Sequence, residues 1–164
     1  MRLKPLLLIA AAQLLCLAGS AMAQPAPQAD RSRVVFVCEH GSVKSLVAAS
    51  YFNKLAEARG LPYRAIARGT APSHQVPDPV GKGLRTEGFD VSHFVPQRLE
   101  ASDVDHALAV ISFGQDISHT VANGASVLHW DNLPGVLDNY SLGRDAIIDH
   151  VRQLLDQLAQ RGKP

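Results

Sequence analysis

The chain has 164 residues, 46% hydrophobic and 19% charged, with 16 Lys and Arg against 15 Asp and Glu. That composition fits one globular domain and excludes a low-complexity or disordered polymer. The net charge of +1, with no basic run in the body of the chain, argues against nucleic acid as a partner.

Residues 1–23 read as a secretory signal peptide. Arg2 and Lys4 precede a largely apolar stretch, Leu6 to Ala18, and Ala21-Met22-Ala23 is a small-x-small cleavage pattern. The apolar stretch is shorter than the roughly 20 residues a membrane span needs, so no span is expected after cleavage. The protein is therefore expected to be exported, periplasmic or secreted. Residues 24–32, with Pro25 and Pro27, read as a flexible lead-in, and one domain is expected over 33–160. Cleavage would leave 141 residues with 14 basic against 15 acidic side chains, a net charge of −1, and a single cysteine, Cys38. One thiol cannot form an internal disulfide, and in an exported protein it calls for a reason.

Arg33 to Val37 is a short continuous apolar run, the pattern of a central parallel strand. Lys44 to Ala58 has apolar residues at helical spacing, and Arg59-Gly60 ends it. Tyr63 to Ala67 predicts a second strand, Pro79 to Glu87 a helix weakened by two glycines, Asp105 to Phe113 a third strand and Ser126 to Trp130 a fourth. Tyr140 to Gln160 predicts a long amphipathic helix with Leu142, Ile147, Ile148, Val151, Leu154, Leu155 and Leu158 on one face. Strands alternating with helices predict an α/β fold, a three-layer sandwich whose four-stranded parallel sheet is flanked by helices. Ligands bind such sheets beyond the carboxyl ends of the strands. The candidate site segments are therefore Cys38–Ser45, Arg68–Thr70, Ser112–Asp116 and Asp131–Asp138.

The first of these segments carries the chemistry. A tight loop between a strand and a helix N-terminus leaves backbone N–H groups without helical partners, in a field that favours anions. Such a loop cradles tetrahedral oxyanions. Gly41 permits the positive φ that a concave loop requires, and Lys44 adds a positive charge. The same field favours the thiolate of Cys38, which is the nucleophilic form. A thiolate beneath a bound oxyanion is an arrangement for phosphoryl transfer.

The C-x5-K-S pattern of Cys38 to Ser45 resembles the C-x5-R-S/T loop of the low-molecular-weight protein tyrosine phosphatases and their relatives, the arsenate reductases. The resemblance extends to Arg68-Gly69-Thr70-Ala71-Pro72, to Phe89-Asp90-Val91-Ser92-His93 with Pro96-Gln97-Arg98-Leu99, and to His129-Trp130-Asp131. It implies the phosphotyrosine phosphatase I-like fold and a phosphomonoester hydrolase working through a cysteinyl-phosphate. Cys38 would be the nucleophile, and the amides of Glu39, His40, Gly41, Ser42, Val43 and Lys44 would bind a phosphate or arsenate-type oxyanion. Ser45 would assist the thiolate, and Asp131 would be the general acid. No cofactor or metal is implied. Cys38-x-His40 would be half a metal site, but no second ligand pair has suitable spacing.

Several positions depart from the family pattern. Lys44 stands where the family has arginine, and a point charge does not replace a planar fork. Arg68 is in a place to supply the missing guanidinium. Glu39 puts a negative charge beside the nucleophile, with His40 as a counterweight. No Asp-Pro pair follows the fourth strand, which leaves Asp138 as a second candidate acid. The chain after residue 23 lacks the further thiols that arsenate reduction uses, so a reductase would need an external thiol reductant. Three readings stay open: a phosphatase, a thiol-dependent arsenate reductase, and a weakly catalytic oxyanion-binding protein. The plainer reading of each residue is an inert buried thiol for Cys38, a solvated helix-start lysine for Lys44, a surface arginine for Arg68, and turn or cap aspartates for Asp131, Asp138 and Asp116.

Overall fold

Val34 to Cys38 are all buried, as a strand covered on both faces must be. This strand, β1 (Arg33–Cys38), leads into α1 (Lys44–Ala58). There follow β2 (Arg64–Gly69), α2 (Asp78–Thr86), α3 (Ala101–Val104), β3 (Ala109–Ser112), β4 (Val127–His129) and α4 (Tyr140–Arg161). The computed structural model describes residues 33–121 and 127–161. The signal peptide and lead-in expected over 1–32, and the first residue of the fourth strand expected from Ser126, lie outside the described residues. Among the described residues no helix is long and apolar enough to cross a membrane.

The four strands form one parallel sheet in the order β2-β1-β3-β4. The chain moves from β1 to one side for β2 and returns to the other side for β3. The order therefore reverses between β1 and β3, which is where α/β sheets open a crevice for ligands. Alternation along β1 splits the core. Val34, Phe36 and Cys38 face a large cluster with α1, α2 and α4, whereas Val35 and Val37 face a smaller one with Val104 of α3, Leu99 and Ile117. The fold is the expected three-layer α/β sandwich, with most of its helical mass on one face.

The differences from expectation have local causes. The third strand begins at Ala109 instead of Asp105, because His106 adopts φ 60° and both residues are exposed. Leu142 was expected on the buried face of the last helix, yet it is 56% exposed. At that turn Gly143 meets the 136 backbone, where an added Cβ would lie 2.9 Å from the Val136 Cα, and Leu142 is turned outward. The short α3 carries no period for a sequence to display. It is fixed by a capping box in which the Glu100 and Asp103 side chains satisfy each other's backbone N–H groups.

A polar knot joins α1, α2 and α4. Glu87, just past α2, accepts from Tyr51 Oη at 2.6 Å and from Tyr140 Oη at 2.7 Å, and it pairs with Arg144. The Tyr140 ring reaches this position by lying on Gly83, where a Cβ would fall 2.2 Å from Cζ of the ring. The two glycines that weaken the α2 pattern are thus partly explained by the close packing of α4.

Candidate active site

β1 ends at the sheet's centre, so its last side chain is delivered to the top of the large core. Cys38 is 6% exposed, and its Sγ lies 3.0 Å from Oγ of Ser45, which is wholly buried. The chain between them is a loop of 39–43 closed at the start of α1. Val43 is the N-cap of α1 and makes no side-chain cap, and the first turn has no acidic residue. The amides at this helix end are thus left to whatever enters the loop. Among the described residues, no N–H of residues 39–44 is bonded to a backbone carbonyl.

The loop's carbonyls face the other way. Thr70 N–H donates to Cys38 O at 3.2 Å, Ala71 N–H to Glu39 O at 2.8 Å and Ser73 N–H to His40 O at 3.1 Å. Each such bond turns a carbonyl to the 70–73 segment, and the N–H across the same planar peptide therefore points away from that segment. The two segments touch at a pair of glycines. A Cβ on Gly41, which has φ 68°, would lie 2.9 Å from Gly69 N, and one on Gly69 would lie 2.8 Å from Gly41 N. Wholly buried Ser42 adds a hydroxyl bond of 2.7 Å to Ser73. Thr70 is itself held, donating from Oγ1 to Gln115 Oε1 at 2.9 Å and receiving Arg98 on its carbonyl. Gln115 lies within the candidate segment Ser112–Asp116, and Arg98 belongs to a segment that carries the resemblance, but neither has a role assigned from the sequence. Ser73 lies outside the candidate segments, just past the 68–72 motif.

Glu39 and His40 are exposed at the lip, and His40 Nδ1 donates towards Ala71 O at 3.4 Å. Lys44 is half-buried, and its Nζ donates to the carbonyl of Leu133 at 3.1 Å. Asp131 follows β4 and accepts from the backbone N–H of Gly114 through Oδ1 at 2.9 Å. Asp138 folds back on its own turn, where Oδ2 would be 2.0 Å from a Cβ on Gly135. Asp116 accepts from Ser118 N–H at 3.0 Å and caps a turn. Trp130 packs beside the site, with ring centroids 5.6 Å from Phe36, 5.7 Å from Phe113 and 5.1 Å from His150.

Arg68 departs from the role expected of it. It is the register partner of Val37, one residue before the Cys38–Gly69 pair, so alternation puts it on the opposite face of the sheet from Cys38. There its Nε and Nη2 each bond Asp103 at 2.8 Å, and Nη1 bonds Ala67 O at 3.0 Å. The fork holds α3 to β2 and does not supply the loop's missing guanidinium. Among the described residues, no group of three or more His, Cys, Asp and Glu is placed to hold a metal ion.

Residues 33–161 match the sequence model of the low molecular weight phosphotyrosine protein phosphatases. The chain belongs to this family. No curated protein matches closely enough to count as a relative. Solved structures similar to this phosphatase-family chain include YfkJ from Bacillus subtilis, with 20% identity, a TM-score of 0.69, and 80% of this chain and 96% of that chain covered. A low molecular weight protein tyrosine phosphatase from the same organism has 20% identity and a TM-score of 0.67, covering 80% of this chain and 99% of that one. A thioredoxin-dependent arsenate reductase from Corynebacterium glutamicum has 19% identity and a TM-score of 0.67, covering 79% and 62%. At such identities the likeness is one of fold.

Proposed function

We propose that the protein is a cysteine-dependent phosphatase that hydrolyses phosphomonoesters through a cysteinyl-phosphate. The observation that carries this reading is the Cys38 Sγ–Ser45 Oγ contact of 3.0 Å beside a loop whose amides, among the described residues, have no backbone carbonyl partners. The amides of 39–44 bind three non-bridging oxygens of the phosphoryl group and stabilise the charge that gathers on them in transfer. The Cys38 thiolate attacks phosphorus, the bond to the leaving oxygen breaks, and Asp131 gives that oxygen its proton. Asp131 Oδ1 is fixed by Gly114 N–H, which leaves Oδ2 for the leaving group. Water, deprotonated by the same aspartate, then attacks the phosphorus of the cysteinyl-phosphate and returns the thiolate with inorganic phosphate. The Ser45 hydroxyl donates to sulfur and steadies the negative charge each time the thiolate forms.

Turnover of an aryl phosphate by the wild type and by Cys38→Ser tests the reading. Release of phosphate by the wild type, absent in the variant, is the expected result, and equal rates in the two proteins would rule it out. The same preparation distinguishes the rivals. Arsenate-dependent oxidation of an added thiol, with no phosphatase turnover, marks an arsenate reductase. Protection of Cys38 by phosphate without turnover marks an oxyanion-binding protein, the outcome that Lys44 in place of arginine favours.

A further inference from the structure

The segment between β4 and α4 is secured by hydrogen bonds or burial at both ends, and in its middle the Leu133 side chain packs against the large cluster. At the start Asp131 takes the Gly114 N–H, and at the end Val136 is 1% exposed while Asn139 N–H donates to Gly135 O at 3.1 Å. Between them, the carbonyl of Leu133 receives the Lys44 ammonium at 3.1 Å. Among the described residues this is the one hydrogen bond joining the 38–45 loop to the 131–139 segment. We propose that Lys44 is a positioning residue that couples occupancy of the loop to the acid segment, its ammonium bridging a bound oxyanion and the Leu133 carbonyl.

This inference rests on the reading of the loop as an oxyanion site. An ammonium has three donors that point in different directions, and Leu133 O uses one. An anion held by the amides of 39–44 presents a charged acceptor to another, and such bonds are shorter and stronger than neutral ones. A guanidinium at this position would align its donors in one plane on the anion. A lysine can instead hold two acceptors that lie apart. Anion binding would then fix Leu133, and with it the approach of Asp131 two residues earlier. The coupling has a built-in reporter, because Trp130, the only tryptophan in the chain, directly precedes Asp131.

The test uses the full chain and inorganic phosphate, with two readouts on each sample: protection of Cys38 from alkylation by iodoacetamide, and Trp130 emission. In the wild type both should titrate with the same midpoint. In Lys44→Met, phosphate should still protect Cys38, at a roughly tenfold higher concentration, while the Trp130 response disappears. Lys44→Arg should restore the protection midpoint and leave the Trp130 response below half of the wild-type amplitude. A full Trp130 response in a protected Lys44→Met protein would overturn the coupling, as would protection without any Trp130 response in the wild type. No protection in the wild type at all would overturn the functional reading, and the coupling with it.

Discussion

Two residue pairs carry the site, and each makes a separate prediction. The first is Cys38 with Ser45. In the proposed mechanism the sulfur becomes charged in each cycle, and removing the hydroxyl takes one hydrogen bond from it. A bond to a charged group contributes about 1.5–3 kcal/mol, so Ser45→Ala should lower kcat by roughly ten- to a hundredfold. The loss should fall on kcat more than on KM, because the loop amides proposed to bind the phosphoryl group are untouched; steady-state kinetics on an aryl phosphate reads the split. The second pair is Gly41 with Gly69. Gly41→Ala meets both a left-handed backbone, at φ 68°, and the Gly69 amide at 2.9 Å, whereas Gly69→Ala meets only the contacts. The left-handed position alone costs a non-glycine residue about 1–2 kcal/mol. Both variants should melt lower than the wild type and lose anion protection of Cys38, with Gly41→Ala the less stable in urea titration. A Gly69→Ala protein with an unchanged midpoint would mean the two loops are not in mutual contact. The Cys38–Ser45 loop and the positive φ of Gly41 were legible in the sequence because they form one continuous segment with a turn of known geometry. Arg68 was not, although strand parity held the answer. Its register with Val37 sends it to the far face, and its partner Asp103 sits on a helix too short to show a pattern.

At the scale of elements, α1, α2 and α4 were visible as periodic segments, but not what ties them. The tie is Glu87, and no spacing rule links residues 51, 87, 140 and 144. Burial acts to raise the Glu87 carboxyl, but the hydroxyls of Tyr51 and Tyr140 and the Arg144 guanidinium outweigh it and hold the group below its ordinary value. Burial first, and then the hydrogen bonds to the Glu87 carboxylate, push both tyrosine hydroxyls above their usual range, against the opposing effect of Arg144. A carboxyl whose folded value is depressed stabilises the protein above its unfolded value and loses that contribution as the pH falls through the folded one. Glu87→Gln should therefore cost about 1.5–3 kcal/mol at pH 7, where hydrogen bonds to a charged acceptor are lost. The gap between variant and wild type should close as the pH drops below about 4, the region where a glutamate protonates. Urea midpoints at pH 7 and at roughly pH 3.5 measure it. A gap of equal size at both values would show that shape, not charge, makes the knot.

The molecule as a whole is a sheet with unequal faces, and β1 belongs to both. Phe36, wholly buried, looks into the larger cluster, where its ring meets Phe52 at 5.9 Å, Phe113 at 6.2 Å and Trp130 at 5.6 Å. Val35, also wholly buried, looks the other way towards Val104 and Val110. The sheet's composition and parallel order were readable because βαβ crossovers leave few topologies, but the thinness of the second face was not. Among the described residues that face is closed by α3 and by loops, which carry no period. The asymmetry raises the question of whether the two faces unfold separately. A small domain with one shared central strand should not allow it, since losing either cluster exposes β1 and with it the other. Phe36→Ala should cost about 3–5 kcal/mol, the usual range for such a deletion in a core. Val35→Ala removes two carbons and should cost about 2 kcal/mol, at roughly 0.8 for each plus a small cavity. The Trp130 environment should be disturbed in the folded state of Phe36→Ala alone. Yet in both variants the Trp130 emission and the far-ultraviolet circular dichroism should fall along one common transition in urea. If Val35→Ala instead lost helix signal in a separate early step while Trp130 stayed native, the thin face would be a unit of its own. In that case β1 would not be the element that makes the fold cooperative.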